Sequence, residues 1–348
     1  MRGKEKLKAL FKKYLYKLIE NLSVFIPFKN SFKFSVKDKI VILVLKPLGI
    51  GDTIMISPLF SLLNKKFPER EIYFSTDYEE FLELEKVKWI PPETLTKEFL
   101  ADALLIVPSL ALTQSKYAFR SKYVLGYFFS NRLVCNFRKK EFSYSFAGGH
   151  FFERIIPILE ILNIEFDLNN LSYPKLKCEK LYCDLADVVI APYSNWKTKQ
   201  YPLMKYLQLI KDLMKDNKKI MLIGSKNLDE VNFNRNLENL VSSKKIINLT
   251  GKTNLREMNY IVQNTPLFIG NDSGPAHCSF ISKNSSLVFF GATDFNTLVP
   301  RNDSLINKII CMDNRDSCRF FPCYNGFTEP YCKKRNSKYS CISGIKIN

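Results

Sequence analysis

The sequence has no uncharged apolar run near the ~18 residues that a membrane-spanning helix needs, which argues against an integral membrane protein. A secretory leader is not expected: the N-terminus is basic, but Lys and Glu interrupt its apolar residues where a continuous hydrophobic region would lie. Histidine is scarce, with only His150 and His277, and no His/Asp/Glu group has metal-ligand spacing, so no metal site is expected. Nine cysteines are an odd count, and four of them (Cys135, Cys178, Cys183 and Cys278) are scattered, unlike a secreted disulfide framework. The other five, Cys311, Cys318, Cys323, Cys332 and Cys341, crowd the C-terminal end without the paired spacing of a zinc site. A reduced, packed tail is the default for them, with a metal or a disulfide as the alternative.

Acidic residues are also short: 34 against 52 Lys and Arg, a net charge of +18 in 348 residues. Such an excess favours a polyanionic partner, whether nucleic acid, an anionic membrane surface or a phosphorylated substrate. Residues 1–39 hold 11 basic residues against 3 acids, so the charge is concentrated in one arm. Within it Leu7, Phe11, Tyr14, Leu18, Leu22 and Phe25 recur at helical steps across residues 4–25, beside Lys4, Lys8, Lys12, Lys13 and Lys17. A basic face next to a bulky apolar face suits an anionic bilayer interface; a helix packed on the protein's own core is the alternative. The arm holds 8 of the 18 excess charges, and this concentration in one segment argues against nucleic acid as the partner.

The rest is globular in composition, 46% apolar and 25% charged, and long enough for two domains of roughly 150 residues each. Ile40–Leu45 is a continuous apolar run typical of a strand buried on both faces. Strands at Ile72–Ser75 and Ala103–Val107 alternate with helical patterns, which predicts a parallel sheet. After a polar stretch at 165–186 the alternation restarts with Val188–Ala191, Ile220–Ile223, Leu267–Gly270 and Leu287–Phe290. The expected fold is α/β, two Rossmann-like domains facing a central cleft. The expected parts are a basic arm (1–38), an N-terminal Rossmann-like domain (39–165), a linker (166–186), a C-terminal Rossmann-like domain (187–310) and a Cys-rich tail (311–348).

Three strand-to-helix loops carry the chemistry. Gly49-Ile-Gly51-Asp52-Thr53 follows the first strand, at the edge where open α/β sheets bind ligands. Its glycines permit a tight turn and a close backbone approach. A dinucleotide fingerprint is incomplete, because Ile54 stands where its third glycine belongs, although Asp77 ends the next strand at a suitable distance. Asp52 suits general-base work or helix N-capping, and these residues alone favour capping. The second loop, Ala191–Pro202, offers Ser194, Asn195 and Thr198 as donors and Lys197 and Lys199 as cations, a set that fits a diphosphate or a plain solvated loop. The third, Asn271-Asp272-Ser273-Gly274-Pro275-Ala276-His277, places Pro275 in a first helical turn with Ser273 or Asp272 as cap. Such a helix start is an anion site, and His277 falls on it.

Together these loops resemble glycosyltransferase family 9, the bacterial lipopolysaccharide heptosyltransferases. The likeness runs over about residues 39–342. It includes Leu48–Asp52 with Ser57-Pro58-Leu59, Trp196–Lys199 before Pro202, Asn248–Thr253, Gly270–His277 and Phe290–Asp294, in the family's order. The resemblance implies a GT-B fold and an inverting, metal-independent transferase without a cofactor, using ADP-heptose or another nucleotide sugar as donor. By it Asp52 is the catalytic base. Ser194, Asn195 and Lys199 hold the diphosphate; Asp272, Ser273, Gly274 and His277 hold the sugar and phosphates; Gly224 and Thr253 also belong to the donor side, and Gly49 and Gly51 to the acceptor-side loop. It further implies a lipopolysaccharide or other glycolipid acceptor and a cytoplasmic enzyme held by its arm on the inner membrane surface. Two features depart from the pattern: the loop Leu48–Asp52 is longer than a simpler Leu-Gly-Asp, and the acid expected soon after Gly224 is replaced by Ser225 and Lys226, with Asp229 and Glu230 later. The alternatives are another nucleotide-sugar donor or an inactive protein binding a membrane surface or an anionic ligand.

Overall fold

The structure, a computed structural model, describes residues 39–45, 48–110, 112–128, 133–135, 150–181, 183–282, 284–323, 332 and 339–347. The amphipathic arm read at residues 4–25 lies outside them.

Two six-stranded sheets form the frame. The first comprises β1 (Lys39–Val44), β2 (Glu71–Thr76), β4 (Val87–Ile90), β5 (Ala103–Leu110), β6 (Tyr123–Phe128) and β7 (Leu133–Cys135), in the order β4-β2-β1-β5-β6-β7. All its pairings are parallel except β6 with β7. The second comprises β9 (Val188–Ala191), β10 (Ile220–Leu222), β11 (Ile246–Asn248), β12 (Leu267–Asn271), β13 (Ser285–Phe289) and β14 (Ile309–Met312), in the order β11-β10-β9-β12-β13-β14 and parallel throughout. In both sheets the chain starts in the middle and winds outward to each side, so the first strand's carboxyl end lies where strand order reverses. Ligands gather at that position in such sheets.

The apolar runs read from the sequence are the central strands. In β1, Ile40, Ile42 and Val44 face one side and Val41 and Leu43 the other, all buried. That is why no alternating pattern appears. One continuous apolar cluster runs from Ile40 and Ile42 through Phe152 and Ile158 to Val189, Ala191 and Met221. The two units therefore share a core rather than hanging on a flexible hinge. The outer faces are covered separately, around Val41, Leu105 and Tyr117 in the first unit and around Ile190, Tyr206 and Phe289 in the second.

Of the helices, α1 (Ile50–Ile56) and α2 (Pro58–Lys66) follow β1, and α3 (Leu112–Arg120) follows β5. A 3-10 turn, Phe151–Ile155, leads into α4 (Ile156–Ile161). The second unit carries α5 (Leu203–Lys215), α6 (Leu228–Val241), α7 (Leu255–Asn264) and α8 (Gly274–Phe280). A capping box closes the start of α7: Glu257 N–H donates to Asn254 Oδ1 at 2.8 Å, and Asn254 N–H donates to Glu257 Oε2 at 2.8 Å.

The stretch read as a linker is partly built into the fold. Within it β8 (Lys175–Leu176) pairs antiparallel with β3 (Leu82–Glu83), and Leu171 and Leu176 are buried. Polarity suggested a solvated connection, but the backbone here is held by partners more than seventy positions away in the chain. Asn259 on α7 donates to the carbonyls of both Phe81 (3.1 Å) and Lys177 (3.0 Å). Arg256 Nε donates to the Glu80 carbonyl at 2.7 Å, and the N–H of Leu255 to Glu79 at 2.6 Å. A second tie lies across the molecule, where His150 Nε2 meets the Val299 carbonyl at 2.9 Å.

Candidate active site

Both sheets send the loops after their first strands toward one crevice. There α1 of the first unit packs directly on α8 of the second.

Asp52 is the third residue of α1, not its cap. Gly49 takes the cap position in extended backbone, and its N–H donates to Asp52 Oδ2 at 2.7 Å. The carboxylate thus does bond back to the helix start, as a capping reading expects, but from inside the first turn. One carboxyl oxygen is engaged with backbone, which fixes the side chain in the cleft. Burial pushes the Asp52 carboxyl up from its ordinary pKa. The Gly49 N–H, Arg154, His277 and Lys199 pull the other way without reversing it. A carboxylate with raised proton affinity beside cations is suited to accept a proton.

Opposite it, Lys199 Nζ lies 2.7 Å from Asp272 Oδ2, and His277 Nε2 lies 3.5 Å from Asp272 Oδ1. All three side chains are nearly buried. Burial works against charge on Asp272, yet Lys199 and His277 hold its carboxyl far below the ordinary range. Lys199 also lies over the Trp196 ring, 4.8 Å from its centre. The Lys199 loop keeps its shape through Gln200, whose Oε1 accepts from the Ser194 N–H at 2.5 Å and whose Nε2 donates to the Pro192 carbonyl at 2.7 Å. Asn271 anchors the same loop from β12, donating to the Pro192 carbonyl at 2.9 Å and accepting from the Tyr201 N–H at 3.0 Å.

The helix start read at Ser273 is observed. Ser273 is the cap residue and Pro275 stands in the first turn, but the Ser273 hydroxyl donates to the Asn271 carbonyl at 3.2 Å instead of capping. Gly274 lies against Ile50 of α1. The structure therefore brings together Asp52, Gly49, Gly51, Lys199, Asp272, Ser273, Gly274 and His277. Ser194 and Asn195 lie on the Lys199 loop, where the Ser194 hydroxyl accepts from the Trp196 N–H at 3.4 Å and Asn195 is exposed. Gly224 and Thr253 lie on loops at the same carboxyl edge of the second sheet, with the Gly251 N–H donating to the Gly224 carbonyl at 2.9 Å.

The Glu230 carboxyl sits against the Gly224 backbone and accepts from the Ser225 hydroxyl at 2.5 Å. So the acid displaced along the sequence returns in space to the Gly224 loop. Two residues beside Asp52 escaped the sequence reading. Arg154, on the turn packed against α1, contributes the largest charge acting on Asp52. No local pattern marks it. Tyr78 donates from its hydroxyl to the Leu48 carbonyl at 3.0 Å, and burial, helped by Asp52 and Asp77, pushes its pKa up to about 12. Its signal was its place, just past the carboxyl end of β2. Among the described residues no group of three or more His, Cys, Asp or Glu side chains is placed to hold a metal ion.

Two α/β units joined at their switch points, with a carboxylate on one side and a buried Lys–Asp–His group on the other, make up the GT-B fold. Residues 165–321 match the model of glycosyltransferase family 9 (heptosyltransferase). A glycosyl transferase family 9 structure from Veillonella parvula superposes with a TM-score of 0.62 at 17% identity, over 81% of this chain and 87% of that one. The Escherichia coli ADP-heptose lps heptosyltransferase II gives 0.60 at 16% identity, over 79% and 90%. The E. coli heptosyltransferase WaaC with ADP gives 0.57 at 13% identity, over 78% and 92%. No curated protein matches the sequence. The family match thus lies on the second unit and the start of the tail, while the similar structures share the fold over most of the chain.

Proposed function

We propose that the protein transfers heptose from ADP-heptose to a hydroxyl of a lipopolysaccharide core acceptor, with inversion, and that Asp52 is the base. The observation that carries this reading is the placement of Asp52 across the crevice from Lys199, Asp272 and His277. The names of the similar structures, an ADP-heptose lps heptosyltransferase and a heptosyltransferase holding ADP, support the choice of donor.

In the proposed step the acceptor oxygen bonds to the anomeric carbon while its proton passes to Asp52. The bond from that carbon to the diphosphate oxygen breaks, and ADP leaves with the electron pair. Lys199 and His277 face the charge that develops on the diphosphate, and such fixed groups in a dry site weigh more than they would in water. Asp272 holds both in place. Ser194 and Asn195 bind the diphosphate from the same loop, and Gly224 and Thr253 line the nucleotide side.

The acceptor would present at the lip formed by Gly49, Gly51 and Arg154. A phosphorylated, carboxylated glycolipid complements the chain's positive charge. The arm at residues 1–38 would hold the enzyme on the cytoplasmic face of the bacterial inner membrane. The test is release of nucleoside diphosphate from ADP-, GDP- and UDP-linked sugars with lipopolysaccharide core as acceptor. ADP from ADP-heptose is expected; GDP or UDP release alone would replace the donor, and no release from any would refute the reading.

A further inference from the structure

Gly51 occupies an unusual position. A Cβ built on it would lie 2.4 Å from His277 Cδ2, 2.8 Å from Nε2 and 2.9 Å from Cγ, inside the imidazole ring. The ring has little room to retreat. Its side chain is only 7% exposed, its Nε2 faces Asp272 at 3.5 Å, and Phe280 meets it edge-on with ring centres 5.3 Å apart. On the other side of the same crossing, a Cβ on Gly274 would stand 3.4 Å from Ile50 Cβ, an ordinary contact. The two short helices are thus pressed together at one tight point. That point joins the residue before the candidate base to a residue of the donor-side group.

We propose that Gly51 is a positioning residue for sugar transfer: by lacking a side chain it lets the backbone of α1 lie flush on the His277 ring, and this contact sets the span between Asp52 and the groups around Lys199. The inference rests on the function proposed above. It adds that the two units are spaced by a glycine-to-imidazole contact and not only by their shared apolar core. Restoring normal separation around an added methyl requires α1 or the ring to move by roughly 1 Å, a displacement that can cost about a hundredfold in rate.

The test is a cycle of the full-length protein, Gly51→Ala, His277→Ala and the double variant, compared with wild type. ADP release from ADP-heptose with lipopolysaccharide core acceptor gives kcat and the donor KM, and thermal melting follows the fold. Gly51→Ala is expected to lower kcat about a hundredfold and to change the donor KM by less than about threefold, because the donor groups all lie on the second unit. In the His277→Ala background, where the ring is gone, the same glycine change should cost less than about threefold. An unfolded Gly51→Ala chain whose fold returns in the double variant also supports the contact, and the double variant is then compared in kcat with His277→Ala. Equal losses in both backgrounds, full activity of Gly51→Ala, or a chain folded in neither background would each overturn the proposal. Wild-type turnover is measured first. A wild type that releases no ADP counts against the proposed function, while the melting temperatures of the four proteins still report whether methyl and ring collide.

Discussion

Lys199 and Asp272 form a nearly buried ion pair at 2.7 Å, with side chains 12% and 1% exposed, on loops that leave neighbouring strands of the second sheet. Removing a partner from such a pair leaves a charge in a poorly solvated place, which costs more than the pair itself contributes. Asp272→Ala is therefore expected to destabilise the fold by about 3–5 kcal/mol, measured by urea unfolding. Replacing both residues with apolar ones, Lys199→Met with Asp272→Leu, should cost much less. A mild effect of Asp272→Ala alone would show that water reaches Lys199 freely.

The Asp52 carboxyl is raised by burial and held back by its cations, Arg154 foremost among the charges. A base must be unprotonated, so activity should fall as pH drops through its pKa, and that acidic limb should lie above the ordinary carboxylate range. Arg154→Ala removes a neighbouring positive charge, which favours the protonated form. The limb should then move to higher pH, read from kcat/KM profiles. A limb that stays in place or moves to lower pH would separate Arg154 from Asp52.

His150 is buried with both ring nitrogens engaged: Nδ1 accepts from the Phe152 N–H at 3.2 Å and Nε2 faces the Val299 carbonyl at 2.9 Å. Burial lowers its pKa from 6.5 to about 4. Between those values the unfolded chain binds a proton that the folded chain does not, so stability rises with pH across this window and is lost as pH falls through it. His150→Gln should flatten that part of a melting-temperature profile between about pH 4 and 6.5. An unchanged slope would assign the acid sensitivity to other groups.

The basic arm is proposed to act at the membrane and not in the chemistry. Deleting residues 1–30 should weaken binding to anionic vesicles, and more so at low salt, while turnover of a soluble acceptor stays within about twofold. Unchanged vesicle binding would favour an arm packed on the protein itself.

Some of this architecture was legible in the chain because it is local. The run Ile40–Leu45 is buried on both faces, Asn254 and Glu257 sit three residues apart, and Pro275 needs a first turn. Each of these signals is complete within a few residues. What was not legible depends on residues far apart. Asp52 reads more readily as a cap than as a base until Arg154, Lys199 and His277 are seen around it. The pairing of Lys175–Leu176 with Leu82–Glu83 has no signal in a polar stretch. Glu230 looked misplaced along the sequence and lies against Gly224 only because the chain turns at the start of α6. The glycine at 51 read as freedom for a turn, whereas its backbone is ordinary helix and its small size serves a contact with His277.

Asp52→Asn keeps the shape of the residue and removes its ability to take a proton at neutral pH. The most direct measurement is ADP release from ADP-heptose by this variant, paired with calorimetric binding of the donor. Proton transfer to a positioned base contributes about 10²–10⁴ in rate. Turnover is expected to fall by that range while donor affinity stays within about threefold. Turnover near the wild-type rate with intact binding would contradict the account, leaving Asp52 as no more than the partner of the Gly49 N–H.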